Sequence, residues 1–357
     1  MAVSVATTTD DTTRRPPEPA GFRPVAWHVG RRGDVAGGMT QVVNGYLAWH
    51  FETMDVRVIT SRDGSRGPRA LRLFLGAVLE VLRLRDPTRN MLVVHLSQGG
   101  SYAREGLLLL LARSRGFGAV AHLHGSSFVE FANRRPGLVG RILRVASKVI
   151  VLSAATQTAV ERFVHPSRVE LVPNAVPQGR ATEKERLVVF GGGVTRRKGV
   201  DVLVEAWRKA GVGRGWRLAV AGPIIDRDVV PDRLPDAEFL GAVAHDRLME
   251  LLDRSSIAVL PSRNEAMPMF ILEAMARDNC VISTRVGGIP AVLGKGRGML
   301  VEPGEVEQLA EALESAIMDD DLRRTVAASG RRAFDDFYSA KAVYPLVEKI
   351  WLDAMHA

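Results

Sequence analysis

A chain of 357 residues with 46% hydrophobic and 25% charged side chains is long enough for two globular domains, each with its own core. Its one cysteine, Cys280, excludes an internal disulfide and suits a reducing compartment; no apolar run reaches the roughly 18 residues that a membrane-spanning helix needs. The net charge of +8 is split unevenly: residues 1–180 carry 24 Lys+Arg against 13 Asp+Glu, or +11, and residues 181–357 carry 24 against 27, or −3. With 6% aromatic content and no nucleic-acid-binding motif, nucleic acid is excluded as the partner of the basic half.

Residues 1–21 are polar, lack a hydrophobic signal core and read as a disordered tail. Strand-like apolar runs then alternate with helical patterns. VAWHVG (25–30) predicts a first strand, followed by the loop RRGDVAGG and the helix MTQVVNGYLAWHF. Gly37 and Gly38 close that loop, where backbone N–H groups and a helix N-terminus can meet a ligand. A strand at 56–60 precedes RALRLFLGAVLEVLRLR, Arg69–Arg85, whose leucine stripe has arginines at both ends. The expectation is a helix packed on a sheet; the functional alternative is a helix lying on an anionic membrane surface. Further strands are predicted at 92–96, 119–124, 149–153 and 169–173. His95 ends one of them, and in HLHG the period-two rule puts His122 and His124 on one side. Two histidines can begin a zinc site, but no third ligand stands out nearby, so no metal is expected.

VPNAV, ending at Val176, and the polar stretch PQGRATEKE mark a domain change. A second series restarts with RLVVFGG (186–192) and continues through strands at 217–222, 238–242, 257–261, 280–284 and 298–303. Two successive series imply an α/β molecule of two doubly wound parallel sheets, with a cleft between their strand C-terminal edges. FGGGVTRRKG (190–199) follows a strand and opens a helix. It is no Walker A loop, because Lys198 stands where the second glycine belongs, and no G-x-G-x-x-G, because Arg196 takes the third glycine position. What remains is a glycine turn with three cations, Arg196, Arg197 and Lys198, suited to phosphate. PSRNEAMPMFILEAMA, Pro261–Ala276, sets Glu265 and Glu273 around a helix start, with Pro268 in the first turn. Ile271, Leu272, Ala274 and Met275 give this helix an apolar face, and the amides near Pro268, Met269 and Phe270 form an anion site. Taken alone, two glutamates eight apart also fit a solvated helix face.

The run resembles the E-x7-E signature of retaining glycosyltransferases of family 4, and EAMPMFILEAMA followed by VISTRVGGIP is similar to members that build bacterial surface polysaccharides. VPNAV, GGIP (287–290) and GRGMLVEPG (296–304) extend the resemblance, which covers roughly residues 22–355 and is strongest over 186–304. It implies a GT-B fold of two Rossmann-like domains: an acceptor-side domain over 22–178, a nucleotide-sugar domain over 179–335, and a helix over 336–357 returning to the first domain. It implies retaining transfer of a hexosyl group from a UDP- or GDP-linked sugar, with no cofactor and no metal. The diphosphate would meet Lys198, with Arg196 or Arg197 replacing an arginine that many members carry six residues earlier, here Gly192. Glu265 would grip sugar hydroxyls and Glu273 the ribose, while Gly241 and Val243 lie in the stretch that holds the base. Gly37 and Gly38 would close over the phosphates. His124 matches the family's active-site histidine, with Ser126 and His95 on the acceptor side and His122 as buried support. No nucleophile is evident; the family's proposed answer is front-face attack, a donor phosphate oxygen taking the acceptor proton. The implied acceptor is a glycan or lipid-linked saccharide, handled in the cytoplasm by a protein peripheral to an anionic membrane. The alternatives are a soluble natural-product acceptor, and a nucleotide-sugar epimerase of the same fold. Ala266, Asn279 and Ala291 depart from residues that relatives usually carry.

Overall fold

The computed structural model describes residues 23–357 apart from 32–36, 66, 181 and 212–214. The tail expected over 1–21 and the centre of the RRGDVAGG loop lie outside the described residues. The first half runs β1 (Val25–Gly30), α1 (Gly38–Ala48), β2 (Asp55–Thr60), α2 (Pro68–Arg83), β3 (Asn90–Leu96), α3 (Gly100–Ser114) and β4 (Gly118–Leu123). It continues through α4 (Phe128–Arg134), α5 (Pro136–Leu143), β5 (Lys148–Val151), α6 (Ala154–Glu161) and β6 (Val169–Leu171). The second half runs β7 (Glu185–Gly191), α7 (Val200–Lys209), β8 (Arg217–Ala221), β9 (Ala237–Gly241), α8 (His245–Arg254) and β10 (Ser255–Leu260). It ends with α9 (Met269–Met275), β11 (Cys280–Thr284), α10 (Ile289–Leu293), β12 (Met299–Val301), α11 (Val306–Met318), α12 (Asp320–Phe337) and α13 (Ala340–Met355).

The strands fall on the predicted apolar runs to within two residues at each end, because parallel strands buried on both faces read as continuous hydrophobic stretches. They form two parallel six-stranded sheets, ordered β2-β1-β3-β4-β5-β6 and β12-β11-β10-β7-β8-β9. In each sheet the order reverses beside the first strand: between β1 and β3 in one, between β7 and β10 in the other. Loops leaving such a switch point at the strand C-termini diverge and open a crevice for ligands.

The first sheet separates two apolar clusters. Leu92, Val94, Ala119 and Ala121 face one. Ala26, Met91, Val93 and Val120 face the other, which runs through Trp351 on α13 into the second half. Helix α13 is tied to the first half at several points. Glu348 accepts hydrogen bonds from the Thr53 and Met54 amides at 2.7 and 3.0 Å, Trp351 is fully buried, and Ala354 lies against Gly118.

Two expectations need correction. Pro268 is not in the first turn of α9: with ψ 127° it stands just before the helix, which begins at Met269. Having no N–H, Pro268 adds nothing to the first-turn donors. Helix α9 also has no solvated face, since all seven residues are buried, Glu273 included. The second concerns α2: the helix packs against β2 and α3 as expected, but four residues of its leucine stripe do not take part. Ala77 and Val81 turn inward, leaving Leu71 58%, Leu75 50%, Leu79 50% and Leu82 46% exposed. Phe74 and Val78 pack beside Ala77 and Val81 against the same core, so the helix has an apolar inner face and a second, leucine-lined outer one.

Candidate active site

The loops after β7 and β10, on either side of the second sheet's switch point, bring together residues 67 positions apart. Gly199 at the start of α7 has φ 74°, and a Cβ there would collide with the Pro261 carbonyl, so only glycine lets the two loops touch. Across that contact Lys198 Nζ pairs with Glu265 Oε1 at 2.5 Å. Ser262 Oγ donates to the same oxygen at 2.8 Å. Both partners are largely buried, with 15% and 9% side-chain exposure, so the pair is poorly screened by water. Glu265 is fixed from behind by Gly287, whose φ of 54° allows it to lie against the Glu265 carbonyl, and by the Gly288 amide, which donates to the Ala266 carbonyl at 2.7 Å.

The three cations separate. Arg196 turns outward to Asp228 at 2.5 Å and keeps 60% of its side chain exposed. Arg197, still 53% exposed, reaches across to the loop after β10: its Nη1 donates to the Asn264 carbonyl at 2.9 Å and lies 3.9 Å from Glu265 Oε1. Gly192, where the family resemblance implied an arginine, faces Lys198; a Cβ there would sit 3.6 Å from Lys198 Cε.

Glu273, one turn into α9, is buried, and desolvation pushes its carboxyl up to about 7 despite the opposing pull of Arg277. His245 at the start of α8 brings Nε2 to 3.7 Å from Glu273 Oε1. The sequence reading missed His245; its only signal is its position just after LGAVA. Gly241, with φ 65°, and Val243 follow β9. They are linked toward Gly192 by the bonds Gly222 N to Gly241 O, 2.8 Å, and Gly192 N to Ala221 O, 2.9 Å.

The first half closes over this pocket. Gly38 lies against Met269, a Cβ there being 3.6 Å from Met269 Cγ, and Gly37 with φ 143° makes the turn into α1. Asn264 Nδ2 donates to Ser127 Oγ at 3.0 Å, beside Ser126. Asn174 Nδ2 donates to the Met267 carbonyl at 3.1 Å.

Behind Ser126 the ends of β1, β3 and β4 carry four histidines in contact. His28 Nδ1 lies 2.9 Å from His95 Nε2, and His95 Nδ1 lies 2.8 Å from His124 Nε2. His122 lies beside His124 with ring centroids 4.1 Å apart and the planes tilted by 37°. Burial holds His28 and His122 down at about 3, and with neighbouring positive charge it holds His95 and His124 well below their ordinary value. All four are therefore neutral near pH 7. The third imidazole that the sequence did not place beside His122 and His124 is His95, which sheet pairing sets directly opposite His122.

Two parallel Rossmann-like sheets facing a crevice, with a cation–carboxylate pair at the second switch point, define the GT-B class. The fold is shared over nearly the whole chain with sucrose-phosphate synthase of Thermosynechococcus elongatus (TM-score 0.69, 19% identity, 92% of this chain and 98% of that one). It is shared also with Anabaena HepE in complex with UDP-glucose (TM-score 0.68, 17% identity, 91% and 98%). Residues 185–319 match the family model described as Glycosyl transferases group 1. A Bacillus subtilis glycosyltransferase named for teichuronic acid biosynthesis is 25% identical over 76% of this chain and 74% of its own. An uncharacterized glycosyltransferase of Methanocaldococcus jannaschii is 31% identical over 43% of this chain; the match spans 45% of that relative, less than half its length. The fold is thus that of GT-B glycosyltransferases, and residues 185–319 are similar to the group 1 glycosyltransferases.

Proposed function

We propose that the protein transfers a hexosyl group from a UDP- or GDP-linked sugar, with retention of configuration, to a saccharide carried on a lipid at an anionic membrane surface. The observation that carries this reading is the buried Lys198–Glu265 pair at the switch point, with Arg197 beside it. As the glycosidic bond breaks, negative charge grows on the departing diphosphate. Lys198, largely buried, is a preorganised cation for that charge where water screens it poorly, and the half-exposed Arg197 stands beside it. Glu265, released from Lys198 by the incoming diphosphate, accepts hydrogen bonds from sugar hydroxyls, and Glu273 accepts from the ribose. The UDP-glucose held by the HepE neighbour supports a uridine donor. His124, at the end of β4, presents a neutral imidazole on the acceptor side.

The membrane part rests on α2. Four exposed leucines form one stripe, Arg69, Arg72 and Arg83 lie on the same helix, and the half that carries them has a charge of +11. No helix among the described residues is long and apolar enough to cross a membrane; the proposed attachment is through the α2 face, peripheral and on the cytoplasmic side.

The test is nucleotide release and product analysis with UDP- and GDP-sugars and a lipid-linked saccharide, comparing the parent with Glu265→Gln. Loss of one oriented carboxylate should lower turnover about 10²-fold. Undiminished transfer by the variant would overturn the assignment. Donor consumed without acceptor, giving an epimerised sugar, would overturn the transferase reading in favour of an epimerase.

A further inference from the structure

We infer that His95, His122 and His124 form a binding site for a borderline transition-metal ion of the zinc(II) type, on the acceptor side of the crevice and separate from the donor pocket. One ring nitrogen from each of the three lies within 4.8 Å of the others. The scaffold is rigid: β3 and β4 are hydrogen-bonded neighbours with His95 paired to His122, and His124 follows β4 directly, its amide bonded to the Leu96 carbonyl at 2.8 Å.

The observation pointing to a ligand is His122. Only 2% exposed, it has no hydrogen-bond partner at either Nδ1 or Nε2. A buried imidazole with two idle nitrogens loses its hydration and gains nothing in exchange, a cost of about 1–3 kcal/mol for each unsatisfied group. Donating a lone pair to a metal removes that penalty. The neighbours complete the pattern expected around a histidine ligand. His95 offers one nitrogen to the cluster while the other is held by His28 Nδ1 at 2.9 Å, the kind of outer contact that fixes a ligand's tautomer and ring orientation. His124 Nε2 and His95 Nδ1 share one hydrogen bond at 2.8 Å. With His124 Nε2 as donor, its proton moves to His124 Nδ1 in the bound state. The lone pairs of His124 Nε2 and His95 Nδ1 then turn to the ion while His95 Nε2–H donates to His28, so three neutral ligands bind without net proton release.

Three imidazoles and no carboxylate suit zinc, cobalt, nickel or copper and disfavour magnesium or calcium, which take oxygen ligands. A tetrahedral ion with three protein ligands keeps one position for water or a substrate hydroxyl. His124 is also the acceptor-side imidazole of the proposed function; metal binding is read without turnover, so failure of either reading is seen separately.

The test uses the full chain without a histidine tag, stripped with chelator and titrated with zinc chloride and, separately, cobalt(II) chloride. The expected result is one ion per chain and the visible bands of tetrahedral cobalt(II). Both should be lost in His122→Ala, which breaks no hydrogen bond, and affinity should fall roughly 10–100-fold in His28→Gln. No stoichiometric binding by the parent chain, or unchanged binding by His122→Ala, would overturn it. If His122→Ala does not fold, the cobalt spectrum of the parent chain decides alone: tetrahedral bands support the site, and their absence overturns it.

Discussion

Glu273 shows how burial sets the chemistry of one residue. A carboxyl raised to about 7 is close to half protonated at neutral pH, with Arg277 and His245 as the facing charged and titratable groups. If ribose hydroxyls donate to it, they favour the ionised form, and nucleotide binding must expel part of a proton. Calorimetry of UDP binding at pH 7, in buffers of differing ionisation enthalpy, should reveal that release; it should vanish in Glu273→Gln. Equal heats in all buffers for the parent chain would separate Glu273 from the nucleotide. The same shift has a sign in stability. A folded-state value raised above the ordinary 4.5 contributes stability that is fully present below about 4.5 and lost as pH rises through about 7. Glu273→Gln should therefore raise the melting temperature of the unliganded protein more at pH 8 than at pH 5.

Among the elements, α2 differs most from what its sequence suggests. Its inward face, Phe74, Ala77, Val78 and Val81, packs on the core of the first half, while the leucines at 71, 75, 79 and 82 stay outside as a second apolar stripe. Leu75→Glu with Leu79→Glu should abolish flotation with anionic liposomes. Each exposed substitution should change stability by no more than about 0.5 kcal/mol. Equal flotation of variant and parent, or no salt-sensitive flotation of the parent, would dissociate α2 from any membrane role. Helix α9 is the opposite case. It is only seven residues long and wholly buried, so it is held by its surroundings and not by its own propensity.

For the whole molecule, α13 connects the halves, and Gly118 is where that connection is most sensitive. A Cβ at Gly118 would lie 2.5 Å from the Ala354 carbonyl oxygen and 2.7 Å from Met355 Cα, both backbone atoms that cannot move alone. Gly118→Ala should destabilise the protein by about 1–3 kcal/mol and speed hydrogen exchange in α13. Gly76→Ala is the control: it lies in α2 with nothing within 4 Å, and should stabilise by about 0.5–1 kcal/mol. Similar melting of the two variants would mean that α13 is not seated on β4.

The strands and the two-sheet architecture were legible in the chain itself, because buried parallel strands and the helices between them leave local apolar patterns. The Pro261–Ala276 run likewise advertised a carboxylate-bearing loop and helix. Local pattern could not decide which groups face one another. Arg196 and Arg197 are indistinguishable as letters, and the positions of Asp228 and Asp201 draw one outward. His95 and His124 stand 29 residues apart and meet because β3 pairs with β4. The orientation of α2 depended on what its neighbours could accept. Periodicity is a property of consecutive residues, whereas charge pairing, burial and ligand clustering arise between segments that only folding brings together.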